Sequence, residues 1–74
     1  MEKRIVDICE KVCNETLAWD EPLISSGLLT SYLIMELICS LEEEFQIRFE
    51  PEEIMLLENF SCINNIIDII KKKY

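Results

Sequence analysis

The sequence contains no histidine, one glycine and two prolines among its 74 residues. Without histidine the chain cannot build a His-based catalytic dyad or triad, and a metal centre would need other ligands. The three aspartates, Asp7, Asp20 and Asp68, lie far apart, and the EF-hand pattern is absent. A chain this short also leaves little room for a deep substrate pocket. These absences argue against a free-standing enzyme.

Basic residues are also scarce, with seven against fifteen acidic residues and a formal net charge of −8. Nucleic acids and anionic membranes attract basic patches, so we expect neither as the main partner and favour a basic protein surface. No apolar run is long enough to span a membrane, and the charged residues from Glu2 to Lys11 are unlike a signal peptide. We therefore expect a cytoplasmic protein, monomeric by default, without direct membrane insertion.

Four cysteines lie at scattered positions, Cys9, Cys13, Cys39 and Cys62. They form no C-x-x-C pair, and their spacing does not indicate a zinc site. In the cytoplasm thiols stay reduced, so we expect small apolar side chains in or near the core, with a disulfide framework as the minor alternative.

Hydrophobic spacing predicts one all-α domain over residues 1–74. The pattern predicts helices over 2–16 and 31–45, a short helix over 51–57, and a last helix that Ser61 caps and that ends at the lysines 71–73. The expected inward-facing residues are Ile5, Ile8, Cys9, Val12 and Thr16; Ile34, Leu37, Ile38, Leu41 and Phe45; Ile54 and Leu57; and Ile63, Ile66, Ile67 and Ile70.

Residues 17–30 lose this period and contain the only glycine, so they are expected to form a long loop. Because the segment is rich in apolar residues, it should fold back over the core. The prediction is a four-helix bundle of three longer helices and one short one, with a long loop between the first two.

The helix over 31–45 has an outer face of unusual composition. At about 100° per residue, several side chains lie opposite the core stripe or flank it. These side chains are Tyr32, Leu33, Met35, Glu36, Cys39 and Glu43. Apolar side chains beside acids suggest a docking surface, with apolar contacts for affinity and carboxylates that steer a basic partner. The alternatives are a helix packed on more sides and an ordinary solvated face.

Ser31 directly follows the loop, at the start of this helix, and two interpretations stay open for it. The default is an N-cap, although Ile34 stands where a capping box would need Glu or Gln. The other is a modified serine, because a phosphate attached there would meet free backbone N–H groups and the positive end of the helix dipole.

The segment LISSGLLTSYLIMELICSLEEEFQIRFEPEEI resembles the acyl and peptidyl carrier protein family. That family commonly has L-x-D-S-G-L-L-D-S-L, an apolar helix ending L-E-E-E-F-x-I, and a P-E-x-(L/I) turn. The tail ENFSCINNIIDIIKKKY is similar to the family's last helix, which follows N-F-x-(S/T)-(V/I). The resemblance covers essentially the whole chain and implies a bundle of the acyl carrier protein type.

The resemblance implies that Ser31 carries 4′-phosphopantetheine, whose thiol holds an acyl or aminoacyl group as a thioester. The implied partners are a phosphopantetheinyl transferase that adds the arm from coenzyme A, an adenylating enzyme that activates the cargo, and acyl-accepting enzymes. Fatty acid, polyketide, nonribosomal peptide and D-alanyl pathways use such carriers. The family's recognition helix follows the serine, so the expected docking residues are Thr30, Tyr32, Met35, Glu36, Cys39 and Glu43.

Three departures of the sequence from the family bear on its function. Thr30 stands where the family has Asp before the serine, Ser25 replaces an Asp of the loop, and Leu33 is apolar where a polar residue is common. The alternative function is therefore a degenerate, carrier-like acidic interaction module without a prosthetic group. The retained serine and docking face favour a working carrier.

Overall fold

The computed structural model describes residues 1–74 as four α-helices with no strand. The elements in chain order are α1 Glu2–Cys13, α2 Ser31–Phe45, α3 Pro51–Met55, a 3₁₀ turn Leu57–Phe60, and α4 Ile63–Lys73. The predicted bundle of three longer helices and one short one is confirmed. None of the helices has the length and apolar content needed to cross a membrane.

The core consists of seventeen buried side chains, all of them hydrophobic. Helix α1 packs against both α2 and α4 and buries Ile5 and Cys9 between them. The predicted core stripe of α2 is buried in full, from Ile34 to Phe45. The four predicted isoleucines of α4 are buried too, and Ile69 joins them. The 3.6-residue period therefore located the core face of every long helix correctly.

Helix α1 ends at Cys13, three residues earlier than the predicted 16. Asn14 adopts the left-handed conformation at φ 59°, and its N–H donates to the carbonyl of Glu10. Asn tolerates this conformation better than most residues and commonly ends helices. Thr16 consequently lies outside the helix and is exposed, so its predicted place in the core stripe is wrong.

Helix α3 also ends before the predicted residue. Leu56 leaves the helical region at ψ 88°, so the i, i+3 spacing no longer places Leu57 inward. Ile54 packs against the core as predicted, but Leu57 is 50% exposed and its predicted inward position is wrong. Phe60, which ends the 3₁₀ turn, is fully buried.

The predicted N-cap of α4 is wrong as well. The cap position belongs to Cys62, and no side chain caps the helix. The Ser61 hydroxyl instead donates to the Glu58 carbonyl at 2.9 Å and accepts from the Asn65 amide at 2.8 Å. Ser61 thus closes the 3₁₀ turn, because its own backbone is still part of that turn.

The segment between α1 and α2 folds back over the core as predicted, burying Leu17, Leu23 and Leu29. Two backbone hydrogen bonds fix it to the other end of the chain: Leu23 N–H donates to the Ser61 carbonyl at 2.8 Å, and Asn64 N–H donates to the Trp19 carbonyl at 3.0 Å. The long loop is therefore part of the packed structure.

Helix α3 buries no residue fully, and polar contacts add to the partial packing of Ile54. Lys73 Nζ lies 2.7 Å from the Glu53 carboxylate and 5.6 Å from the centroid of the Phe49 ring. Glu53 also accepts from the Glu50 N–H at 2.7 Å, which completes a capping box. The hydrogen bond from Lys73 lowers the pKa of Glu53. Lys73 thus joins α4 to α3.

We expect Lys73→Met to lower the free energy of unfolding by roughly 1 kcal/mol, because the ion pair and the cation–π contact are both lost. Lys72→Met is the matched control, since Lys72 is exposed and forms no ion pair. Urea denaturation measures both variants.

The same comparison has a defined pH dependence. Because the pKa of Glu53 is lowered on folding, its ion pair contributes fully above the ordinary value of 4.5, and the contribution is lost as pH falls through the folded pKa. The stability difference between wild type and Lys73→Met should therefore shrink in acid. A difference that stays constant down to about pH 3 would contradict the assignment.

Candidate functional site

Ser31 is the first residue of α2, and its side chain is exposed. Leu29, two residues before it, is 3% exposed, and Ile34, three residues after it, is 7% exposed. The two buried side chains hold the backbone on both sides of the serine. The Ser31 hydroxyl takes part in none of the side-chain hydrogen bonds. It is therefore presented to solvent from an anchored turn.

The N-cap of α2 is Thr30, so the interpretation of Ser31 as the cap is wrong. Thr30 is extended, at φ −83° and ψ 170°, and its Oγ1 accepts a hydrogen bond from the Leu33 N–H at 3.3 Å. Its carbonyl accepts from the Ile34 N–H at 2.8 Å. Because Thr30 caps the helix, the Ser31 hydroxyl is left without a hydrogen bond.

The first turn of α2 favours an anion. It contains no acidic residue. The backbone N–H groups of Ser31 and Tyr32 have no acceptor, because the cap satisfies only Leu33 and Ile34. These N–H groups lie at the N-terminus of the helix, which is the positive end of the helix dipole. A phosphodiester on the adjacent hydroxyl would meet hydrogen-bond donors and no repelling carboxylate.

The outer face of α2 is exposed along its length, as predicted. Tyr32 is 76% exposed and Met35 is 52% exposed. The remaining predicted docking residues are also exposed, namely Thr30, Glu36, Cys39 and Glu43. Leu33, by contrast, packs partly against the core. We define the outer face as Tyr32, Met35, Glu36, Cys39 and Glu43. Its spacing of three and four residues forms one continuous stripe that begins beside Ser31.

The four glutamates of α2 differ in what they bind. Glu42 accepts a hydrogen bond from the Phe49 N–H at 2.9 Å. Arg4 of α1 donates bidentate hydrogen bonds to the Glu44 carboxylate at 2.8 and 3.1 Å. The Arg4 hydrogen bond lowers the pKa of Glu44. The side chains of Glu36 and Glu43 form no hydrogen bond or ion pair. These two carboxylates remain available to another molecule.

The sequence pattern missed two features near the ends of α2 and α3. The Arg4–Glu44 pair joins residues forty positions apart, and no local pattern could indicate it. Met55, Leu56 and Leu57 are exposed by 81%, 54% and 50%, respectively. An uninterrupted apolar run beside a proline-initiated short helix was the available signal, but helical spacing assigned part of it to the core.

Comparison with known proteins agrees with this geometry. A family model described as the phosphopantetheine attachment site matches residues 3–70. The acyl carrier protein of Buchnera aphidicola subsp. Baizongia pistaciae (strain Bp) is 40% identical over 63 residues, which are 85% of this chain and 70% of that protein. The chain belongs to the phosphopantetheine-attachment family of carrier proteins. The resemblance seen in the sequence is confirmed.

The prosthetic group of this carrier protein is covalently bound 4′-phosphopantetheine. When bound, the group supplies a thiol that holds cargo as a thioester. The start of α2 fits such a group, because it offers an exposed hydroxyl, N–H groups without acceptors, and no nearby carboxylate in the first turn.

The exposure of the outer face can be measured through the cysteines of the carrier protein, all four of which are free thiols. We expect an alkylating reagent at about pH 8 to label Cys39 first, because that thiol is exposed. Cys9 should react last, because burial raises its pKa to about 12. Peptide mass spectrometry after timed labelling measures the order, and Cys39→Ser should remove the fastest site. A Cys39 as slow as Cys9 would mean that the face is covered.

Proposed function

We propose that this carrier protein holds an acyl or aminoacyl group as a thioester on a 4′-phosphopantetheine arm attached to Ser31. It shuttles the group from an adenylating enzyme to acyl-accepting enzymes. The exposed, unbonded hydroxyl of Ser31 on the first turn of α2 carries this proposal. The name of the similar Buchnera protein, an acyl carrier protein, supports the cargo class.

The hydroxyls of the other serines and threonines are less suited to attachment. Those of Ser26, Thr30 and Ser61 already form hydrogen bonds with the backbone. Ser40 is half-buried in the groove between α1 and α2. The two that remain, Thr16 and Ser25, are exposed but lie in the loop and not at a helix start. Of the seven serines and threonines, Ser31 alone combines exposure, a free hydroxyl and a helix N-terminus.

The attachment reaction needs a base that this chain does not provide beside Ser31. A bond forms between the serine oxygen and a phosphorus of coenzyme A, the bond to the adenosine bisphosphate part breaks, and the hydroxyl proton leaves. The first turn of α2 has no acidic residue and the chain has no histidine. We therefore assign the proton acceptor to a separate phosphopantetheinyl transferase.

The outer face of α2 is the proposed contact surface for the transferase and for the cargo enzymes. It begins at the residue after Ser31, so a partner docked there also reaches the arm. Tyr32 and Met35 supply exposed apolar area, and Glu36 and Glu43 supply unpaired carboxylates. Such a surface is complementary to an apolar patch with basic residues around it.

The first test is loading. We expect incubation of the apo protein with coenzyme A and a broad-specificity phosphopantetheinyl transferase to add the mass of one phosphopantetheine. Ser31→Ala should abolish the gain, because it removes the attacking oxygen. Ser25→Ala should load normally, because it removes an exposed hydroxyl of the loop that the proposal does not use. Intact mass spectrometry reads all three proteins.

Failure of the wild type to load, under conditions that load a control carrier, would reject the arm on Ser31. It would favour the degenerate interaction module instead. Loading that persists in Ser31→Ala would place the arm on another residue.

The second test is electrostatic. We expect Glu36→Lys with Glu43→Lys to slow association with the transferase by about tenfold at low salt, because steering toward a basic partner is lost. Stopped-flow binding measures the rate, and added salt should slow the wild type toward the rate of the variant.

The matched control for net charge is Glu15→Lys with Asp20→Lys, at exposed loop positions away from α2. If both pairs slow association equally, total charge and not the outer face controls the encounter. If neither has an effect, the docking face is wrongly assigned.

A further inference from the structure

Thr30 controls the geometry of the turn that presents Ser31. Its Oγ1 accepts from the Leu33 N–H at 3.3 Å, and its carbonyl accepts from the Ile34 N–H at 2.8 Å. The serine lies between the residue that accepts these two hydrogen bonds and the residues that donate them. Of these two hydrogen bonds that span Ser31, the one to Oγ1 is the one that a substitution of the Thr30 side chain can remove.

No other side chain bonds to the Leu33 N–H. The first turn of α2 holds no acidic residue, and Leu33 occupies the position at which a capping-box Glu or Gln would reach back. Ser31 itself forms no hydrogen bond through its side chain. Loss of the Thr30 hydroxyl would leave the Leu33 N–H without an acceptor and would allow the first turn to fray.

We infer that Thr30 is a positioning residue for arm attachment, and that it acts through its neutral hydrogen-bond acceptor and not through a charge. This inference rests on the proposed function, in which Ser31 is the attachment residue. Thr30 holds the first turn in the form that the transferase binds, so the ordered turn is present before the encounter. A frayed turn would have to become ordered during binding.

The fraction of carrier molecules with an ordered first turn determines the KM of the transferase for the carrier. If only a fraction of carrier molecules has an ordered first turn, the apparent affinity of the transferase falls by that fraction. Once bound, the turn is ordered and the chemical step is unchanged. A lost cap therefore raises KM for the carrier and leaves kcat nearly the same, whereas a purely structural role would change neither in folded protein.

The test compares three substitutions in loading assays with coenzyme A and a broad-specificity transferase. Thr30→Val keeps the shape and removes the acceptor, and it should raise KM about fivefold, equivalent to about 1 kcal/mol, with kcat retained. Thr30→Ser and Thr30→Asn keep a neutral acceptor and should stay within about twofold of wild type. Hydrogen exchange of the Leu33 amide should accelerate in Thr30→Val alone.

Ser26→Ala is the matched control, because it removes another loop hydroxyl that bonds to backbone, the acceptor of the Leu28 N–H at 3.4 Å. It should leave KM unchanged. Equal KM values for wild type and Thr30→Val would overturn the inference while the proposed function stands. A wild type that does not load at all would reject the proposed function itself. Failure of Thr30→Ser to restore KM would also overturn the role of the acceptor.

Discussion

The location of the serine depends on the burial of the side chains around it. Leu29 and Ile34 enter the core on either side of Ser31, which leaves the short stretch between them at the surface. The Leu29 N–H donates to the Leu23 carbonyl at 2.9 Å, and the Leu23 N–H donates to the Ser61 carbonyl at 2.8 Å. Through this series the start of α2 is fixed to the turn before α4. An exposed hydroxyl on an anchored backbone suits a tether, because the attached group gains reach without loosening the fold.

Helix α2 packs against the core and also bears the proposed docking face, and its glutamates divide between the two. Glu42 and Glu44 bind groups of the same chain and fix the segment after α2 and the neighbouring α1. Glu36 and Glu43 bind nothing within the fold. Arg4 and Lys11 of α1 line the same groove as Glu36 and Glu43, but Arg4 pairs with Glu44 and Lys11 forms no ion pair, so neither is bonded to these two carboxylates. Both carboxylates are therefore free to bind solvent cations or the basic residues of a docked protein.

The sequence predicted the helices and their core faces well, because burial of one helix face makes apolar residues recur with a period of 3.6 residues. It predicted helix ends less well. The period places Thr16 and Leu57 on the core faces of their helices. The left-handed backbone of Asn14 and the non-helical backbone of Leu56 end the two helices before those residues. The cap assigned to Ser61 failed for a similar reason, since that residue completes the preceding turn and its backbone meets a distant loop. Such competition depends on three-dimensional contacts that local spacing does not record.

At the start of α2, a shift of one residue decides which hydroxyl caps the helix and which stays free. Thr30 and Ser31 are adjacent and both can cap a helix, so the sequence left two roles open for the serine. In the structure the cap occupies the threonine hydroxyl and leaves the serine hydroxyl free. A cap requires a side-chain acceptor oxygen. Thr has one, and so does the Asp that the family commonly has at this position. Thr30 therefore makes a cap that Asp could also make, but without a negative charge beside the serine. Helix geometry and surface charge are separable here, so the charge beside the hydroxyl proposed for arm attachment can change while the hydroxyl keeps its place.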